Sequence, residues 1–85
     1  RLELARIHFD LANFTETLNN ARWACSVFRE LGDRHGEACA LQVCGTALRG
    51  LGDLAPARET YLAAAAIFAQ LGDPRADEIA ALLAA

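Results

Sequence analysis

The chain has 85 residues, 54% of them hydrophobic and 22% charged, a balance that gives one globular domain or part of one and excludes a disordered segment. Its formal net charge of −3 has the wrong sign for a nucleic-acid platform, and no apolar run approaches the roughly 18 residues of a membrane span. Nineteen Ala and 13 Leu stand against five Val plus Ile, so strong helix formers dominate and the expected fold class is all-α.

The chain opens Arg-Leu-Glu-Leu-Ala-Arg, charged throughout and unlike a signal peptide, so a cytoplasmic protein is expected. It has no Met, even at residue 1, and is expected to be a piece of a larger protein. All eight cations are Arg, the usage of a GC-rich genome of actinobacterial type.

A first helix is predicted over residues 2–10. Asn13-Phe14-Thr15-Glu16 reads as a capping box, with Glu16 reaching back to the Asn13 amide, and starts a second helix over 14–31. Within it Phe14, Leu18, Ala21, Cys25 and Phe28 follow the 4-3-4-3 spacing of one buried face. Leu31-Gly32-Asp33 ends that helix, since Gly supplies the left-handed cap and Asp caps the next start. A third helix covers 34–50, with Leu41, Cys44, Gly45 and Leu48 on one face. Asp53, with Pro56 in the first turn, starts a fourth over 54–71, where Leu54, Arg58, Tyr61, Ala65 and Phe68 repeat the spacing. Asp73-Pro74 places a cap and a first-turn proline before a fifth helix over 74–84, with Asp77 and Glu78 near the positive end of its dipole. Loops of two or three residues predict antiparallel neighbours.

Leu-Gly-Asp recurs at 31–33, 51–53 and 71–73, and the first and third copies share a context: Phe28-Arg29-Glu30 against Phe68-Ala69-Gln70. The same offset of 40 matches Leu11 to Leu51, Phe14 to Leu54, Ala24 to Ala64 and Val27 to Ile67. The unit is therefore a two-helix hairpin with an internal break, in one domain: repeat 1 over about 1–33, repeat 2 over about 34–73 and a partial third over 74–85.

Leu41, Cys44, Gly45, Leu48, Ala57, Tyr61 and Ala64 then carry a specific likeness. Their spacing resembles the tetratricopeptide repeat, in which a Gly lets the two helices of a hairpin touch and small residues let the next hairpin dock. Leu4, Ala5, His8, Thr17, Ala21 and Ala24 hold the same places less closely, and Ala85 would open a third copy. The resemblance spans essentially the whole chain and implies antiparallel hairpins stacked as a right-handed solenoid of about five helices. The common unit is roughly 34 residues, and this one is longer in its second helix. The long form with Leu-Gly-Asp at the turn resembles repeats in large bacterial transcriptional or signalling regulators, which implies such a parent.

No chemistry stands out. No glycine run ends in the Gly-Lys-Ser/Thr that grips phosphate. Cys39 and Cys44 lie five apart on one helix and point roughly 140° apart, there is no Cys-x-x-Cys, and His8 and His35 do not space with the cysteines. Neither a metal nor a cofactor is expected; Cys25 and Cys44 read as small core residues, and the three cysteines as free thiols. The carboxylates fall at caps and solvent faces, so no catalytic residue and no enzyme is expected. His8 reads as packing and His35 as an exposed first-turn residue.

The resemblance implies instead a concave groove lined by the first helix of each hairpin: Leu2, Arg6 and Phe9, then Gln42, Thr46 and Arg49, then Ile79 and Leu82. Arg6 between two apolar residues would suit a partner helix or peptide bearing a carboxylate, the plain alternative being that Leu2 and Phe9 are core at a frayed end. The family's clamp for chaperone tails uses Lys and Asn, and Leu2, Arg6, Gln42 and Thr46 do not supply it. Trp23, whose counterpart is Ala63, is either an interface ring or a local cover. Leu83, in an apolar last helix, is expected to serve association, so that Asp or Lys there would abolish it and leave helicity intact. The function expected is a non-catalytic scaffold for a protein or peptide partner; the alternative is an oligomerisation segment acting through its end helices.

Overall fold

A computed structural model describes the backbone of residues 2–84 and the side chains of residues 13–84. The described chain is all-helical: α1 (Leu2–Leu31), α2 (Arg34–Gly50), α3 (Leu54–Gln70) and α4 (Arg75–Ala84). Four helices stand where five were expected, because the first two are one. The repeat explains why. Leu51-Gly52-Asp53 ends α2 with Gly52 at φ +85°, whereas the equivalent Leu11-Ala12-Asn13 has alanine where the glycine should be. A left-handed alanine costs about 1–2 kcal/mol, so the helix runs on and Asn13–Glu16 are interior residues rather than a capping box.

The three surviving turns share one hydrogen-bond pattern. After α1 the Asp33 amide donates to the Phe28 carbonyl (2.9 Å) and the Gly32 amide to that of Arg29 (3.2 Å), and the turns at Gly52 and Gly72 repeat both bonds. The aspartates differ in what they cap. Asp33 accepts from the Gly36 amide at 2.8 Å, and Asp73 from the Arg75 amide at 2.9 Å. Asp53 makes no side-chain cap, because the third residue of α3 is Pro56, which has no N–H to offer.

Chain-neighbour helices pack antiparallel, and glycines set how closely. A Cβ on Gly36 would stand 2.5 Å from the Phe28 ring, one on Gly50 2.5 Å from Phe14, and one on Gly45 2.9 Å from Tyr61. Among the described residues, helix backbones approach only between chain neighbours. One core cluster joins Leu18 and Ala21 to Cys44, Ala47, Leu48 and Ala57. The other gathers Ala38, Tyr61, Ala64, Ile67 and Ile79 around Phe68, whose full burial is worth about 1.5–3 kcal/mol. The face expected on α3 is shifted by part of a turn: Leu54 is 66% exposed and Arg58 is also outside, while Ala57, Tyr61, Ala64 and Phe68 form the buried line. The molecule measures 46 × 30 × 18 Å. Among the described residues, no helix is long and apolar enough to cross a membrane.

Candidate functional site

Two mainly apolar concavities follow from this packing. The first is a cleft of about 350 Å³ where the C-terminal end of α2, the start of α3 and the end of α4 converge. Arg49 and Arg58 line it together with Leu54, Tyr61, Leu82 and Leu83. The floor is fixed by Tyr61, buried along its ring, with its hydroxyl 2.7 Å from Thr46 Oγ1. Neither the Arg49 nor the Arg58 side chain has a hydrogen-bond or ion-pair partner among the described residues. Two cations in a largely apolar cleft can receive a carboxylate beside a hydrophobic side chain.

The second is an apolar groove of about 410 Å³ between α1 and α2, lined by Thr17, Ala21, Ala24 and Phe28 on one side and Cys39 and Val43 on the other. It carries no charge.

A polar network ties α4 back to α2 across Phe68. His35 stands edge-on to the Phe68 ring at 5.9 Å, and the Arg75 guanidinium lies 5.6 Å from the ring centroid. Arg75 also donates to Cys39 Sγ at 3.1 Å, and His35 Nε2 lies 3.3 Å from Asp73 Oδ2. The Arg75 amide, opposed by partial desolvation and helped by His35, holds the Asp73 carboxyl below its ordinary value. At the α1–α2 turn, buried Glu37 is satisfied by Arg29 at 3.1 Å and Arg34 at 3.5 Å, and Glu37 in turn raises Arg29. Arg29–Glu37 joins α1 to α2, and His35–Asp73 joins α2 to the turn before α4. Among the described residues no group of three or more His, Cys, Asp or Glu is placed to hold a metal ion. Cys25 and Cys44 are buried, as expected for small core residues, and burial pushes the Cys44 thiol up; Cys39 is half-buried.

No protein-family model, curated protein or solved structure matches this chain.

Of the groove residues expected from the sequence, Arg49 and Leu82 meet in the cleft. Thr46 lies one turn away, tied to Tyr61 and to the Gln42 carbonyl, and Gln42 is half-buried on the same helix. Ile79 is not a groove residue: at 1% exposure it belongs to the core around Phe68. Leu2, Arg6 and Phe9 fall outside the described side chains. Of the association residues, Trp23 is 71% exposed on α1. Leu83 is partly buried against the core, so a charge there would disturb packing as well as any association. The cleft contains two residues that sequence reasoning assigned to the buried face, Leu54 and Arg58. The signal was available: Arg58 was the one polar residue in that face, and a lone cation there marks a boundary with solvent.

Proposed function

We propose that this chain is a non-catalytic interaction module, a tetratricopeptide-type solenoid segment of a larger bacterial regulator working in the cytoplasm. In this reading the cleft takes a peptide segment carrying a carboxylate next to an apolar side chain. What supports it above all is that two guanidinium groups, Arg49 and Arg58, line one largely apolar cleft and have no side-chain partner among the described residues. The repeated hairpins and the glycine contacts agree with the solenoid reading, and the antiparallel chain-neighbour packing is what that architecture requires.

The test is fluorescence anisotropy with a labelled library of short peptides, each ending in an apolar residue and made with either a free or an amidated C-terminus. Binding should require the free carboxylate. Arg49→Ala and Arg58→Ala should each weaken it about ten- to hundredfold, the loss of about 1.5–3 kcal/mol for a charge-assisted bond, with circular dichroism unchanged. Equal binding of free and amidated peptides, or binding indifferent to both arginines, would sink the reading.

A further inference from the structure

His35 and Cys39 stand one turn apart on α2, and Asp73 and Arg75 reach them from the turn that opens α4. Cys39 Sγ lies 3.8 Å from His35 Nδ1, the other ring nitrogen Nε2 lies 3.3 Å from Asp73 Oδ2, and the Arg75 guanidinium donates to Sγ at 3.1 Å. The chain of contacts has a direction. The Arg75 amide holds the Asp73 carboxyl below its ordinary value, so near neutrality Asp73 is a carboxylate that can only accept. Nε2 must then carry the ring proton, which leaves Nδ1 as an acceptor facing the thiol. Fully buried Phe68 backs both His35, edge-on at 5.9 Å, and Arg75, 5.6 Å from its centroid, so base and cation are set before any reagent arrives. A nucleophile within reach of a base that a third group orients is the arrangement that activates cysteines. Cys39 can also be reached: it is half-buried and borders the surface groove between α1 and α2, whose α1 wall is uncharged.

We infer that Cys39 is a modification site, a thiol that exchanges with a low-molecular-weight disulfide and keeps one half of it as a mixed disulfide. His35 Nδ1 takes the Cys39 proton while Arg75 pairs with the sulfur. The thiolate attacks one sulfur of the disulfide, a new S–S bond forms as the old one breaks, and the departing thiolate takes the proton back from the imidazolium and leaves as a free thiol. Cys39 is oxidised, the departing half is reduced, and no other reactant is consumed. The adduct persists because no second thiol of the chain can displace it: Cys25 and Cys44 are buried, and Cys44 projects from α2 about 140° away from Cys39. Asp73 is a positioning residue in this scheme, acting through His35. The site does not depend on the cleft taking a peptide.

Exchange of the reduced 85-residue chain with bis(2-hydroxyethyl) disulfide, a neutral probe, tests it, each cysteine being followed by peptide mass spectrometry. Cys39 should be modified first and gain one mercaptoethanol half. A free thiol is already a few per cent ionised at pH 7, so assistance is worth at most about thirtyfold, and His35→Gln and Asp73→Asn should each slow Cys39 about tenfold. The His35 side chain is 55% exposed and asparagine still caps α4, so both variants should keep the wild-type circular dichroism, and either one alone carries the test if the other unfolds. At about pH 9.5, where thiols ionise unaided, both should approach the wild-type rate, which a merely distorted site would not do. An unmodified Cys39, a wild-type rate at pH 7 in either folded variant, or a deficit undiminished at the higher pH overturns the inference.

Discussion

Gly45 and Asp73 show how much single residues decide here. Gly45 lies in regular helix, where alanine would gain about 1 kcal/mol of propensity, yet the added Cβ would stand 2.9 Å from the Tyr61 ring. Tyr61 cannot retreat cheaply, since it is 3% exposed and its hydroxyl is held 2.7 Å from Thr46. Overpacking costs about 1–3 kcal/mol, so Gly45→Ala should destabilise on balance, read as a lower urea midpoint at unchanged slope. Asp73 sets a pH dependence. Its carboxyl is held low first by the Arg75 amide and further by His35, so the folded state binds the proton more weakly than the unfolded chain does. That stabilisation is complete above the unfolded value of about 3.9 and disappears as pH falls through the lower folded value. The melting-temperature gap between wild type and Asp73→Ala should therefore be constant near neutrality and close below about pH 4.

Helix boundaries depend on backbone freedom more than on caps. Gly52 has no atom within 4 Å of an added Cβ, so Gly52→Ala isolates the cost of a positive φ. It should destabilise by about 1–2 kcal/mol in urea melts, with no packing contribution. The same physics explains what was legible in the sequence. The ends of α2 were readable to the residue because Leu-Gly-Asp marks both. The break before residue 14 was not, because Asn13-Phe14-Thr15-Glu16 spells a capping box equally well inside a helix, and what ends a helix in this chain is glycine, absent at position 12. The cleft was half legible. Arg49 and Leu82 were named from the repeat resemblance, whereas Arg58 and Leu54 depend on how far α3 is rotated against α2, which the contact of Gly45 with Tyr61 fixes and no local pattern records. Ile79 was misplaced for a related reason: on a helix packed from one side only, a shift of one position exchanges groove for core.

Taken whole, the described residues form a row of four helices whose backbones meet only chain neighbours, with α2 and α4 joined through side chains across Phe68. Stability in such a row is local, each helix resting on its chain neighbours. The row also has an uneven order of assembly. α2 carries Gly36, Gly45 and Gly50, each about 1 kcal/mol poorer than alanine as a helix former, and each is occupied by a ring from a neighbour. α3 carries seven alanines and needs no such support to begin coiling. Folding φ-values should therefore be higher in α3 than in α2, whose shape is moulded between Phe28, Phe14 and Tyr61.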